Sequence, residues 1–180
     1  MFTRQQIPNV LTLIRIAAVP ACLAVILLAP ELHGLLFILF GAAASTDFLD
    51  GHLARKWNVT SPIGALLDPI ADKLIVILML LYLMVHYGLS LLPVAAMILR
   101  EVYLSGLREF LANKQIALPV SKGGKLKTSL QLTGILFMLG AAWLHIDSAA
   151  WLGNKLLWLA AIVSISSAIH YTKVSWPHLR

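Results

Sequence analysis

The sequence predicts an all-α protein, an integral membrane bundle of six transmembrane helices. Two properties predict this fold class. Of 180 residues, 59% are hydrophobic and only 12% are charged, and the mean hydropathy of +0.85 is well above that of soluble globular domains. Because one span needs about 20 apolar residues, the length suits roughly six spans in a single domain covering residues 1–180. We expect no second domain.

Six apolar segments follow one another along the chain, each long enough for one span. The first is preceded by "MFTRQQIPN", a short segment that we expect to lie at the membrane interface. Its interruption by Arg15 and Pro20 argues against a cleavable signal peptide, and its Cys22 is expected to be a packing residue. The predicted spans cover, approximately, residues 10–30, 34–56, 66–86, 90–111, 128–146 and 150–171.

Positively charged residues alternate between the connections of these spans. The turns "PELHG", "HYGLS" and "HIDSAAW", after the first, third and fifth spans, carry no Lys or Arg. By the positive-inside rule, both termini and the other two loops should face the cytoplasm. This pattern explains most of the net charge of +6, so we expect no nucleic acid partner. The basic residues are Arg4 before span one, Arg55 and Lys56 after span two, Lys114, Lys122, Lys125 and Lys127 after span four, and Lys173 and Arg180 at the end.

Most acidic residues lie within or at the ends of the second, third and fourth spans. An ionisable group at membrane depth costs at least about 2 kcal/mol and therefore indicates function. Asp47 and Asp50 are three residues apart on span two, and Asp68 and Asp72 are four apart on span three, so each pair shares one helix face. The loop "WNVTSPIG" joins the two spans as an antiparallel hairpin, which brings the four carboxylates together near the cytoplasmic surface.

Four clustered carboxylates need a cation, because like charges in a low dielectric repel one another. Oxygen ligands without His or Cys suit Mg²⁺ or Mn²⁺, and Asp47, Asp50, Asp68 and Asp72 are enough to bridge two such ions. A two-metal site is typical of displacement at phosphorus. The alternative is a structural ion-pair network with neighbouring basic residues.

The residues around these acids match a longer pattern, Asp-x2-Asp-Gly-x2-Ala-Arg-x8-Gly-x3-Asp-x3-Asp. It resembles the signature of the CDP-alcohol phosphotransferases, membrane enzymes of phospholipid synthesis. The resemblance implies a six-helix fold, usually a homodimer, in which the four aspartates hold two divalent ions around the diphosphate of a CDP-linked lipid. It also implies that Asp72 is the general base for the acceptor hydroxyl and that the small and basic positions face the CDP moiety. Those CDP-facing positions are Gly51, Ala54, Arg55 and Gly64.

Three further segments, "IPNVLTLIRI", "REVYLSGLREF" and "PVSKGGKLKT", resemble members of this family that use glycerol 3-phosphate as the acceptor. This resemblance implies transfer of the phosphatidyl group of CDP-diacylglycerol to glycerol 3-phosphate, with release of CMP. Because that acceptor is a dianion near pH 7, its site needs positive charge, for which Arg108, Lys125, Lys127 and Arg100 are candidates. Arg100 has an alternative role, since an intramembrane arginine commonly pairs with an acid such as Glu101 to remain buried.

The first span carries a polar face formed by Asn9, Thr12 and Arg15, which are three residues apart. Asn9 and Thr12 either cap the start of the helix or, together with Arg15, bind the nucleotide or its diphosphate, as the family resemblance implies. In both cases an arginine at membrane depth requires an anion.

Two other functions are compatible with the sequence. The acceptor can be phosphatidylglycerol, serine or an inositol phosphate, or the intramembrane acids can belong to a cation or proton transporter. A transporter more often has paired repeats with broken helices near the midplane, whereas these acids lie on one hairpin near one surface. We therefore expect an enzyme in a bacterial-type cytoplasmic (inner) membrane, with its active site facing the cytoplasm.

Overall fold

A computed structural model describes the backbone of residues 6–57, 62–116 and 122–179, and the side chains of residues 13–46, 70–116 and 123–177. Within these ranges the chain forms six helices and no strand, which confirms the predicted all-α fold. The helices are α1 (Gln6–Leu28), α2 (His33–Trp57), α3 (Pro62–Tyr87), α4 (Leu91–Asn113), α5 (Lys122–Leu144) and α6 (Asp147–Leu179).

Three helix ends differ from the sequence prediction. α3 already begins at Pro62, so Gly64 is helical rather than part of the predicted loop; proline is favoured in the first turn because it lacks an N–H that would be unpaired there. α5 begins at Lys122, so most of the basic stretch after α4 is helical. α6 continues to Leu179, about two turns beyond the expected end.

The start of α1 excludes one of the two roles considered for its polar residues and leaves nucleotide binding a prediction. The helix begins at Gln6, so Asn9 and Thr12 lie inside it. An N-cap residue has to flank the first helical residue. The capping alternative for Asn9 and Thr12 is therefore wrong, and their side chains lie outside the residues whose side chains the structure describes.

The turns after α3, α4 and α5 each use a residue in the left-handed region. Gly88 follows α3 with a φ of 65°, which glycine adopts without steric cost. After α4, Gln115 has a φ of 59°, and the amide of Ile116 donates to the carbonyl of Leu111 over 2.9 Å. The corresponding bond after α5, next to His145, is 3.1 Å long. These bonds satisfy carbonyl groups that each helix end would otherwise leave unpaired.

The chain divides into two compact units, of which the first comprises Met1–Tyr82 and Leu139–Asp147. In this unit α1 packs against α2. Trp143, near the end of α5, covers Gly34 so closely that an added Cβ there would lie 2.7 Å from the indole Nε1. The fully buried side chains of this unit include Cys22, Leu36, Phe40, Met79 and Leu80.

The second unit comprises Leu83–Met138 and Ser148–Arg180. Its α5 and α6 approach closely at Gly134 and Gly153, where a Cβ added to Gly153 would lie 2.9 Å from the carbonyl oxygen of Gly134. Only glycine allows two helix backbones to come this near. α4 and α6 share an apolar cluster formed by Leu104, Leu107, Leu111 and Tyr171.

Two helical stretches in the described part of the chain are long and apolar enough to cross a membrane, judged by length and composition: Ile70–Tyr87 and Asp147–Pro177. Leu13–Leu28 and His33–Thr46 are also apolar but shorter. The described part of the chain thus confirms six helices, of which two meet this criterion; that all six cross a membrane stays a prediction.

Candidate active site

An ion pair between α1 and α3 lies at the end of the acidic motif. The Nη1 atom of Arg15 is 3.0 Å from Oδ1 of Asp72. The arginine side chain is only 1% exposed, whereas the aspartate side chain is 38% exposed. The sequence predicted that Arg15 requires an anion, and that anion is Asp72, the last acid of the motif.

The other motif positions lie in helical backbone whose side chains are outside the described set. Both α2 and α3 are continuous helices through the motif positions. The helical spacing that puts each pair of aspartates on one helix face is therefore present. Whether these side chains converge with Asp72 stays a prediction. The positions concerned are Asp47, Asp50, Gly51, Ala54 and Arg55 on α2, and Gly64 and Asp68 on α3.

Asp72 has the chemistry of a ligand for a hard divalent cation. A carboxylate offers about four lone-pair positions, and its contact with the Arg15 guanidinium occupies one side of a group that is 38% exposed. Carboxylate oxygens are the ligands that Mg²⁺ and Mn²⁺ prefer. Among the side chains that the structure describes, no group of three or more His, Cys, Asp or Glu residues lies close enough to hold a metal ion, and the three other predicted ligands are not among those side chains.

A second charged cluster lies in the other unit, on α4 and α5. Oε1 of Glu101 accepts a hydrogen bond from Nη1 of Arg100 and another from Nζ of Lys127, each 2.6 Å long. The side chains of Arg100 and Lys127 are 8% and 4% exposed. The pairing of Arg100 with Glu101, which the sequence offered as an alternative, is therefore present, and Lys127 shares it.

The four candidate acceptor-binding cations fall into two groups. Arg100 and Lys127 are buried and meet at the same carboxylate, whereas Arg108 and Lys125 are exposed. Lys125 and Lys127 differ because residues two apart on a helix point in different directions. The structure thus brings together two of the four.

Sequence reasoning missed the bridging role of Glu101 and the contribution of α6. Nε of Arg100 donates to the hydroxyl of Ser167 over 3.4 Å. Glu101 and Lys127 are 26 residues apart and Arg100 and Ser167 are 67 apart, so no local pattern reports either contact. One signal in the sequence could have indicated the contact with Glu101: basic residues outnumber acidic ones at the predicted cytoplasmic ends of spans four and five, so the few acids there have several possible partners.

Comparison with known proteins decides the family. The family model described as CDP-alcohol phosphatidyltransferase matches residues 5–166, which is most of the chain. The chain belongs to the CDP-alcohol phosphatidyltransferase family. This membership confirms the resemblance drawn from the motif and favours an enzyme over a transporter. Enzymes of this family generally use divalent metal ions.

Several relatives of the chain share one name, CDP-diacylglycerol--glycerol-3-phosphate 3-phosphatidyltransferase. The relative from Rickettsia bellii is 38% identical, and the match covers 94% of each chain. The relative from Cereibacter sphaeroides is 34% identical with 97% of each chain covered, and that from Yersinia enterocolitica is 36% identical with 96% covered. The similarity therefore extends over both compact units.

Proposed function

We propose that the protein transfers the phosphatidyl group of CDP-diacylglycerol to sn-glycerol 3-phosphate, which yields phosphatidylglycerophosphate and CMP in phospholipid synthesis. The observation that carries this proposal is the similarity, over 92% to 97% of the chain, to relatives that are named for this reaction. The ion pair between Arg15 and Asp72 supports it, because it places a held carboxylate at the last position of the family motif.

The protein is proposed to act as one membrane domain, with six spans, a short interfacial segment at the N-terminus, and both termini and the active site on the cytoplasmic side of a bacterial-type inner membrane. The outer face of α6 between Trp151 and Ile169 supports this arrangement, since its exposed residues are apolar apart from Lys155 and Ser166, while its buried residues are small apart from Leu157. In a soluble protein the apolar residues of a helix face inward and the polar ones outward. The opposite arrangement on α6 suits a helix that is surrounded by lipid. Exposed residues of α6 include Trp151, Leu159, Ile162, Ile165 and Ile169, and buried ones include Ala160, Ala161, Ser164 and Ser167.

Two Mg²⁺ or Mn²⁺ ions are proposed to be held by Asp47, Asp50, Asp68 and Asp72. When bound, such ions neutralise the oxygens of the diphosphate and stabilise the negative charge on departing CMP. The donor chemistry of Asp72 fits this role, as does its partial exposure.

Asp72 is proposed to be the general base of a direct displacement. Its carboxylate accepts the proton of the 1-hydroxyl of glycerol 3-phosphate, whose oxygen forms a bond to the phosphorus that carries diacylglycerol. The bond from that phosphorus to CMP breaks, and CMP leaves with the electron pair. Arg15 keeps the carboxylate in one position, and because a guanidinium has five N–H donors, it can also bind the diphosphate.

The remaining predicted residues bind the two substrates. We propose that Asn9, Thr12, Gly51, Ala54, Arg55 and Gly64 contact the CDP moiety, with the small residues leaving room for the nucleotide. Arg100 and Lys127, together with the exposed Arg108 and Lys125, bind the phosphate of the acceptor. The buried pair supports this assignment, since two cations with one carboxylate leave an excess of positive charge for a dianion.

The test is an acceptor panel on one purified preparation. CDP-diacylglycerol is supplied with glycerol 3-phosphate, phosphatidylglycerol, serine or inositol phosphate, and CMP release is measured for each. The proposal expects CMP release with glycerol 3-phosphate at the highest kcat/KM. Release of CMP with another alcohol alone, or cation flux into liposomes without CMP release, would overturn the proposal.

Crosslinking in the same liposomes tests the homodimer that the family resemblance implies.

A further inference from the structure

The carboxylate of Glu101 joins two buried cations through a single oxygen atom. Both the Nη1 of Arg100 and the Nζ of Lys127 lie 2.6 Å from its Oε1. The carboxylate is the most accessible of the three groups, with 21% of its side chain exposed against 8% for Arg100 and 4% for Lys127. Neither cation reaches any other carboxylate among the described residues. Glu101 is thus the group that the two cations have in common.

Arg100 is also held from its other side. Its Nε donates to the hydroxyl oxygen of Ser167 over 3.4 Å. That hydroxyl gives its own hydrogen to the carbonyl oxygen of Ser164 over 2.9 Å, so it is left as an acceptor toward the arginine. Two acceptors, one on α4 and one on α6, therefore fix the plane of the guanidinium.

The charges of this cluster do not balance. Two cations and one carboxylate leave a net positive charge in a mostly buried place. Without the carboxylate, Arg100 and Lys127 would repel each other in surroundings of low dielectric and move apart. With it, both cations stay at one point, and each retains N–H donors beyond the one that it gives to Glu101.

We infer that Glu101 is a positioning residue of the acceptor site: its carboxylate holds Arg100 and Lys127 together so that both bind the same phosphate group. This inference rests on the proposed function, in which those two cations bind the phosphate of glycerol 3-phosphate. Glu101 acts through them and takes no part in proton transfer. Its loss should therefore weaken acceptor binding far more than it slows the chemical step.

The test replaces the charge of Glu101 and keeps its shape. In Glu101→Gln, the KM for glycerol 3-phosphate should rise roughly tenfold or more, since a buried charged partner is lost, while kcat and the KM for CDP-diacylglycerol change by less than about threefold. Glu101→Asp, which keeps the charge, should restore part of the affinity. The matched control is Glu109→Gln, because Glu109 also follows an arginine on α4 but is exposed; it should leave all three constants within about twofold.

Inorganic phosphate gives a readout that does not depend on turnover. As a competitor of glycerol 3-phosphate it should inhibit the native protein, and Glu101→Gln should raise its Ki in the same proportion as the KM. If Glu101→Gln fails to fold, Glu101→Asp takes its place, because it keeps both cations and the charge but withdraws the carboxylate by one methylene group; it should fold and raise the KM and the Ki together, by less than a full loss of the charge would.

The two possible failures are distinguishable. An unchanged KM for glycerol 3-phosphate in Glu101→Gln, or in Glu101→Asp where Glu101→Gln does not fold, overturns the positioning role while the native protein still makes its product. A fall in kcat at constant KM overturns it as well. Absence of CMP release with glycerol 3-phosphate in the native protein overturns the proposed function instead.

Discussion

The buried guanidinium of Arg15 lies 3.0 Å from the carboxylate of Asp72, so that a cation of the first helix and the last acid of the family motif form one ion pair. The arginine is 1% exposed and the aspartate is 38% exposed. A buried cation is stable only beside an anion. The position of the proposed catalytic carboxylate therefore depends on how α1 packs against α3.

Replacement of Arg15 by methionine should destabilise the protein. Arg15→Met leaves Asp72 without this cation, and we expect the free energy of unfolding to fall by about 2 kcal/mol, less than for a fully buried pair because water reaches the aspartate. Denaturant unfolding in detergent measures it. The double variant with Asp72→Asn should recover part of the loss, and Lys114→Met, at an exposed cation, should change the value by less than about 0.5 kcal/mol. An equal free energy of unfolding for Arg15→Met and Lys114→Met would contradict the stabilising role of the ion pair.

Divalent ions should stabilise the folded protein through Asp72. Because a ligand that binds only the folded state stabilises it by mass action, Mg²⁺ at a hundred times its Kd should add about 2.7 kcal/mol. Thermal unfolding of chelated protein, with and without added Mg²⁺ or Mn²⁺, measures this effect apart from turnover. Asp72→Asn should show a smaller shift, while Glu31→Gln, in an exposed turn, should respond like the native protein. An equal shift in Asp72→Asn would argue against metal binding by Asp72.

The two lysines near the start of α5 should differ in their effect on the acceptor. The side chain of Lys127 is 4% exposed and Lys125 is on the surface. Lys127→Gln should raise the KM for glycerol 3-phosphate about tenfold or more, and Lys125→Gln by only about twofold. Raising the salt concentration should remove the effect of Lys125→Gln and leave that of Lys127→Gln, since salt screens exposed charges more than buried ones. Equal effects at both positions would contradict this division.

The close approach of α5 and α6 predicts a difference between two glycines. A Cβ at Gly153 would lie 2.7 Å from Cγ of Met138 and 2.9 Å from the carbonyl oxygen of Gly134, whereas nothing lies within 4 Å of a Cβ at Gly106. Gly153→Ala should lower the free energy of unfolding by about 1–3 kcal/mol. Gly106→Ala should raise it by up to about 1 kcal/mol, because alanine is the better helix former. Equal stability of the two variants would show that α6 shifts without cost.

The helices were predictable because long apolar segments have few alternatives to helical structure in a membrane. Their ends were less so. The stretch "SKGGKLKT" has the two glycines and the charges of a loop, yet residues from Lys122 onward are helical. Lys127 of this stretch is buried against Glu101 of another helix, and local preference carries no information on such a tertiary contact.

The candidate site was predictable where residues lie close in sequence. The spacing of Asp68 and Asp72 follows from one helix, and the pairing of the adjacent Arg100 and Glu101 was one of the two roles considered for Arg100. The partners of Arg15 and of Lys127 are 57 and 26 residues away in the chain. Those contacts depend on how the helices pack, which no local pattern contains.

The most direct test of the central claim is CMP release by Asp72→Asn in purified protein that retains the native helical circular dichroism and elutes as a single species. With CDP-diacylglycerol and glycerol 3-phosphate at saturation, we expect kcat to fall at least about 100-fold, because the proton acceptor is lost. Asp147→Asn, at the exposed start of α6, should retain native activity. A rate for Asp72→Asn within a few-fold of the native rate would contradict the proposed role of Asp72 as general base.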